Sequence, residues 1–153
     1  GYAAGPKELI SAIETLQSQS TSNPTSITQA AAVVALTGTQ EPVGMMAKEF
    51  AKRRNYVVDR LRAMPGVTFT FAEGTFYVCP RVSSDFGAKW DDSKIASAMD
   101  LSLYLLQEAK VALVAGEGFG SPDHVRISYA TSMKNLEQGL NQIETGLKKL
   151  LPL

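Results

Sequence analysis

Residues 111–130 read VALVAGEGFGSPDHVRISYA, and the fold class turns on how this stretch divides. VALVA (111–115) is a short continuous apolar run, the pattern of a buried strand. GEGFGSPD (116–123) is glycine-rich with a proline and reads as a loop. HVRISYA (124–130) alternates, with Val125, Ile127 and Tyr129 on one face and His124, Arg126 and Ser128 on the other. Strands flanked by helical patterns predict an α/β unit, a small mixed β-sheet covered by helices. Within it Arg126 has two readings. It is either a polar residue turned to water, as strand alternation alone would have it, or a planar guanidinium on a rigid element, offering a bidentate fork to a carboxylate. Composition and period do not choose between them.

The glycines Gly116, Gly118 and Gly120 follow a strand, as in a dinucleotide-binding loop. That loop needs a helix directly after it to aim N-terminal amides at phosphate, and here Pro122 and a second strand follow instead. A turn that lets backbone pass closely is the better account.

Working outward, Ile95, Met99, Ser102, Leu105 and Leu106 recur at helical spacing in SKIASAMDLSLYLLQEAK (93–110). Met133, Leu136, Leu140, Ile143, Leu147 and Leu150 predict a closing amphipathic helix with Ser132 as its cap. Upstream, VTFTFAEGTFYVC (67–79) alternates about Glu73-Gly74 and predicts a β-hairpin, with Val67, Phe69 and Phe71 on one arm and Phe76 and Val78 on the other. Residues 81–92 are mixed and polar, a loop. A long helix is predicted from Pro42 to Met64, with Val43, Met46, Phe50, Val57, Leu61 and Met64 along one face. At ~1.5 Å per residue it would reach about 34 Å, enough to link two lobes. Before it, a scrap of strand gives way to a helix after Gly5-Pro6, with Leu9, Ile10, Ile13 and Leu16 periodic. A second helix, 24–36, is apolar on nearly all sides and so suited to packing on more than one face, with Gly38 ending it. The expected division is 1–40, 41–64 and 65–153.

The chain has 153 residues and 44% of them are hydrophobic, enough apolar surface for a real core. Fifteen basic residues balance fifteen acidic ones, which removes the electrostatic footprint of a nucleic-acid or anionic-membrane binder. The basic run AKRRNYVVDR reads as a solvated helix face offset by Glu49 and Asp59. Cys79 is the single cysteine, so no internal disulfide marks an oxidising compartment, and cytoplasm is the expectation. Cys79 reads as a core residue. His124 is the single histidine and cannot build a histidine metal cluster; no metal site is expected.

Taken together, GYAAGPKELI, QSQSTSNPTSITQAAAVVAL, EGTFYV, VALVAGEGFG and HVRISYATS resemble, in order and spacing, the C-terminal part of class I/II (fold type I) aminotransferases. The branch most similar is the bacterial aspartate aminotransferases. The resemblance covers essentially the whole chain. It implies the small C-terminal domain (65–153), the long connecting helix (41–64) and the last part of the large cofactor-binding domain (1–40). It places the substrate's α-carboxylate on Arg126 and an aromatic near the substrate pocket at Phe119.

The same resemblance puts the lysine that forms the Schiff base with pyridoxal phosphate, and the arginine that holds its phosphate, just ahead of Gly1-Tyr2. No lysine here lies in a matching motif, so no catalytic residue and no cofactor-binding residue is assigned within the chain. It further implies amino acid and 2-oxo acid substrates, of aspartate or glutamate type, and a homodimer near whose interface the Ser22-Asn23 loop lies. One departure is that the family has Pro-Gly where Ala115-Gly116 stand. The protein supplies orientation and proton transfer in such chemistry while the cofactor serves as electron sink; these residues would supply orientation alone and be inactive by themselves. Two other readings are a separate non-catalytic domain that binds carboxylates or mediates assembly, and the aminotransferase-like half of a transcriptional regulator. Exposed apolar surface on the 24–36 helix is the feature that speaks against the first.

Overall fold

The computed structural model describes residues 2–91 and 93–150, which form two compact units divided between Val43 and Gly44. In the first unit, α1 (Lys7–Ser20) and α2 (Ser26–Thr37) are joined by a turn in which Ser22 takes a left-handed backbone. Thr25 caps α2, its Oγ1 accepting from the Thr28 amide, and Gly38 ends the helix. Neither helix buries a residue, and Ile27 and Leu36 are more than four-fifths exposed. The expectation that α2 packs on several faces is thus not met by this chain. Residues 2–6 form no strand, since no partner strand lies beside them.

The second unit holds almost all of α3 (Glu41–Arg62), then β1 (Tyr77–Val78), a 3-10 turn (Ser83–Asp85), β2 (Lys89–Trp90), β3 (Ser93–Lys94) and α4 (Ala98–Glu108). β4 (Val114–Ala115), a second 3-10 turn (Gly116–Phe119), β5 (Val125–Ser128) and α5 (Met133–Leu150) complete it. The main sheet runs β1-β5-β4. Both pairings are antiparallel, so the α/β class stands while the sheet is antiparallel where a mixed one was expected. For β4 and β5 the reason is the connection: a tight loop of about nine residues returns β5 against β4, too short for a parallel crossover.

The expected 67–79 hairpin does not close on itself. Its first arm meets the return only through the Thr68–Arg81 bridge, while β1 spends its hydrogen bonds on β5. The 111–115 run gives a strand of only two residues, with Val114 exposed and Ala115 buried. The polar 81–92 stretch contains, unexpectedly, the first strand of the β2-β3 hairpin, which turns at Asp91 with positive φ.

Three helices cover the sheet's apolar face. α3 contributes Val57, Leu61 and the following Met64, α4 Leu101, Tyr104 and Leu105, and α5 Leu136, Leu140, Ile143 and Leu147, against Val78, Val125, Ile127 and Tyr129. Each such side chain stabilises by about 1.5–3 kcal/mol when fully buried. The apolar face of α3 is buried only in its second half; Val43 and Met46 remain exposed. α4 and α5 approach closely at Gly146, where a Cβ would lie 2.9 Å from Leu105 Cδ2, and the Gly146 carbonyl accepts from Tyr104 Oη at 2.9 Å. α4 is capped reciprocally: Ser97 Oγ accepts from the Asp100 amide and Asp100 Oδ2 from the Ala96 amide. Ser132 caps α5 as expected, its Oγ accepting from the Asn135 amide at 3.2 Å.

Asp85 is a buried carboxylate at the end of the first 3-10 turn, and burial pushes its carboxyl above the usual carboxylate range, against a smaller opposite pull from Ser84. The folded state therefore holds the Asp85 proton more tightly than the unfolded chain. Its stabilising contribution is full below the ordinary carboxylate pKa, about 3.9, and is lost as pH rises through the raised value. Asp85→Asn is expected to raise stability at pH 7 by on the order of 1 kcal/mol, with the gain vanishing below about pH 4. Urea unfolding at the two pH values measures it; no gain at pH 7 would contradict the assignment.

Candidate functional site

β5 is hydrogen-bonded on both edges, which fixes its faces. Val125 and Ile127 point into the core; Arg126 and Ser128 point away. Residues opposite one another in an antiparallel pair share a face. Tyr77, opposite Ser128, and Val114, opposite Arg126, therefore join the outer face. On that face lies a cavity of about 350 Å³, lined among others by Thr70, Phe71, Tyr77, Phe119, His124 and Arg126.

The Arg126 guanidinium lies over two rings, its Cζ 4.4 Å from the Phe119 ring centre and 5.2 Å from that of Tyr77. Such contacts hold a cation by about 0.5–2 kcal/mol each and leave its N–H donors unspent. Among the described residues no carboxylate pairs with it and no carbonyl accepts from it. Five donors in a fork on a half-buried side chain can receive a planar anion.

The Phe119 ring is delivered by a turn that is itself tied down. Glu117 Oε1 accepts from the Met99 amide at the start of α4. The Gly116 amide donates to the His124 carbonyl at 2.8 Å, and the Ser121 amide to the Gly116 carbonyl at 3.0 Å. Gly120 closes the turn in a left-handed conformation that glycine adopts without strain. Backbone passes so near Gly116 that a Cβ there would collide with the carbonyl oxygens of Ser121 and His124. Glycine is thus required where backbone approaches backbone, and no helix follows to receive a phosphate.

The structure brings Arg126 and Phe119 together, and adds Tyr77 and His124. Tyr77 was legible only in its alternation with Val78, which puts it on the outer face once β1 pairs with β5. Cys79 is exposed on the cavity's rim. It is therefore not a core residue, because the alternation that buries Val78 turns Cys79 outward. Ser22 and Asn23 belong to the first unit and take no part in this cavity. Its lining contains no lysine, so these residues offer pyridoxal phosphate no amine. The polar groups this cavity does offer include the guanidinium fork of Arg126 and the imidazole of His124. Among the described residues no cluster of histidine, cysteine or acidic side chains could hold a metal ion.

The family model for class I and II aminotransferases matches residues 1–143. The chain belongs to that family. The aspartate aminotransferase of Geobacillus stearothermophilus is 47% identical over 146 residues, covering 94% of this chain and 35% of that protein. The aspartate aminotransferase of Pinus pinaster is 42% identical, covering 99% of this chain and 32% of its own length. The crystal structure of the Rhizobium meliloti aspartate aminotransferase superposes with a TM-score of 0.91 at 41% identity, covering 99% of this chain and 38% of that one. The chain thus spans about a third of the length of the aminotransferases it matches. The class I and II family is dependent on pyridoxal phosphate and acts on amino acids and oxo acids.

Gly116 and Gly118 differ in their surroundings. Gly116→Ala is expected to cost about 1–3 kcal/mol, since rigid backbone must give way. Gly118→Ala, at a position with nothing within 4 Å, should change stability by less than about 0.5 kcal/mol. Chemical denaturation of both variants checks the contrast, and equal effects would contradict it.

Proposed function

We propose that this chain is the carboxylate-holding C-terminal segment of a pyridoxal-phosphate-dependent aminotransferase that moves an amino group between an amino acid and a 2-oxo acid, of aspartate or glutamate type. The observation that carries the proposal is the Arg126 guanidinium, which has no carboxylate partner among the described residues and lies against Tyr77 and Phe119 in an open cavity. Both substrates of such a reaction carry an α-carboxylate. A planar anion is what this fork and its two rings are shaped to orient. Phe119 and Tyr77 displace water next to the guanidinium, which strengthens its hold on a bound anion.

The proposed division is 1–40 as the tail of the large domain, 41–64 as connecting helix and 65–153 as small domain. The periodic pattern of 41–64 and the self-contained core from Val57 onward support it. The enzyme is proposed to be a homodimer in the cytoplasm. The uncovered apolar residues of α2, and their poor fit to a free-standing domain, support a larger assembly. The single cysteine suits a reducing compartment. When bound, pyridoxal phosphate supplies the electron sink; the residues of this chain bind and orient. Without an amine in the cavity, the segment by itself is proposed to be inactive.

Calorimetric titration of the chain with succinate, a dicarboxylate without a reactive amine or carbonyl, tests the reading. Arg126→Met should weaken binding at least about tenfold, or about 1.4 kcal/mol. Affinity unchanged in Arg126→Met would contradict the role given to this side chain.

A further inference from the structure

Phe119, one of the two rings against Arg126, stands on a permissive stretch of backbone. Gly116, Gly118 and Gly120 leave Glu117 and Phe119 as the side chains of residues 116–120, and glycine loses more conformational freedom on folding than any other residue. The base of the turn is fixed, because the Gly116 amide donates to the His124 carbonyl beside β5. Its tip is not. Nothing lies within 4 Å of where a Cβ on Gly118 would be, and residues 117–120 are all exposed.

Among the described residues one side-chain hydrogen bond reaches this tip, from the Met99 amide to Glu117 Oε1 at 3.0 Å. No cation among them pairs with the Glu117 carboxylate. Met99 lies in the first turn of α4, where amides have no intrahelical partner. Ser97 Oγ serves the Asp100 amide there, and Glu117 serves that of Met99 from outside the helix. A carboxylate at a helix N-terminus also meets the positive end of the helix dipole, and a hydrogen bond to an ionised acceptor is roughly twice as strong as a neutral one.

The two ends of this bond are unequal. α4 is anchored, with Ala98, Leu101, Tyr104 and Leu105 buried in the core, so the constraint falls on the turn. Glu117 itself does not line the cavity. Its effect there passes along the backbone to Phe119, whose ring centre is 4.4 Å from Arg126 Cζ. We propose that Glu117 is a positioning residue, which holds Phe119 against the Arg126 guanidinium by accepting from the N-terminus of α4. The value of that placement to an anion rests on the reading of Arg126 as a carboxylate holder; the placement itself does not.

Proton–nitrogen NMR of the labelled chain reads the placement, since a ring this near shifts the Arg126 Nε–Hε signal. That signal is assigned by its loss in Arg126→Met, and Phe119→Leu gives its position without the ring. Glu117→Ala is expected to move it toward the Phe119→Leu position, and Glu117→Gln, which keeps an oxygen acceptor, to return it most of the way. Succinate affinity should fall about threefold in Glu117→Ala, the cost of ordering one side chain on binding, and recover in Glu117→Gln. Were Glu117 to serve the helix alone, Glu117→Ala would lower the urea midpoint and leave the Arg126 signal unmoved. That result, or a Glu117→Gln signal displaced as far as that of Glu117→Ala, would overturn the proposal. An Arg126→Met chain that binds succinate undiminished would instead overturn the carboxylate reading, with the Arg126 signal still deciding the role of Glu117.

Discussion

β5 is bonded on both sides, and its alternation assigns every side chain near it to one of two faces. Inward, Val125, Ile127 and Tyr129 meet α3, α4 and α5 in a continuous core. Outward, Arg126 finds two aromatic rings and, among the described residues, no counter-charge. A one-residue slip in register would exchange these sets, burying a guanidinium and exposing two or three large apolar groups. Core packing therefore holds the site in place, and the site needs no hydrogen bonds of its own to stay oriented.

The outer face gains rigidity from its edges. The turn carrying Phe119 is tied to α4 through Glu117 and to β5 through the Gly116 amide. On the opposite side Tyr129 Oη donates to the Thr75 carbonyl at 3.1 Å, steadying the bend that leads into Tyr77. Thr75 adopts positive φ there, a conformation uncommon for a β-branched residue. Across the helical layer Arg60 and Glu144 join α3 to α5 at 3.0 Å, and Lys148 and then Arg60 hold the Glu144 carboxyl below its ordinary range. A cation framed by fixed rings on a fixed strand is oriented before any anion arrives, which lowers the cost of binding.

The helices were legible because their apolar spacing spans several turns; α5 and α3 fall within two residues of where periodicity places them. Strand partners were not. Glu73-Gly74 looks like a hairpin turn, yet the stronger competition for the edge of β1 came from β5, about fifty residues away, and no local pattern encodes that choice. Cys79 and Tyr77 were misjudged or overlooked for the same reason, since their faces depend on which strand pairs with theirs. Arg126 could be singled out as a residue, and its two possible meanings stated, but its lack of a carboxylate partner is a fact of three dimensions.

A crystal structure of this chain soaked with succinate puts the account at greatest risk. The account predicts one carboxylate lying in the plane of the Arg126 guanidinium, with two N–H···O contacts of about 2.7–2.9 Å and the Tyr77 and Phe119 rings on either side. Succinate bound elsewhere, or an Arg126 turned away to a protein carboxylate with the cavity closed, would contradict it.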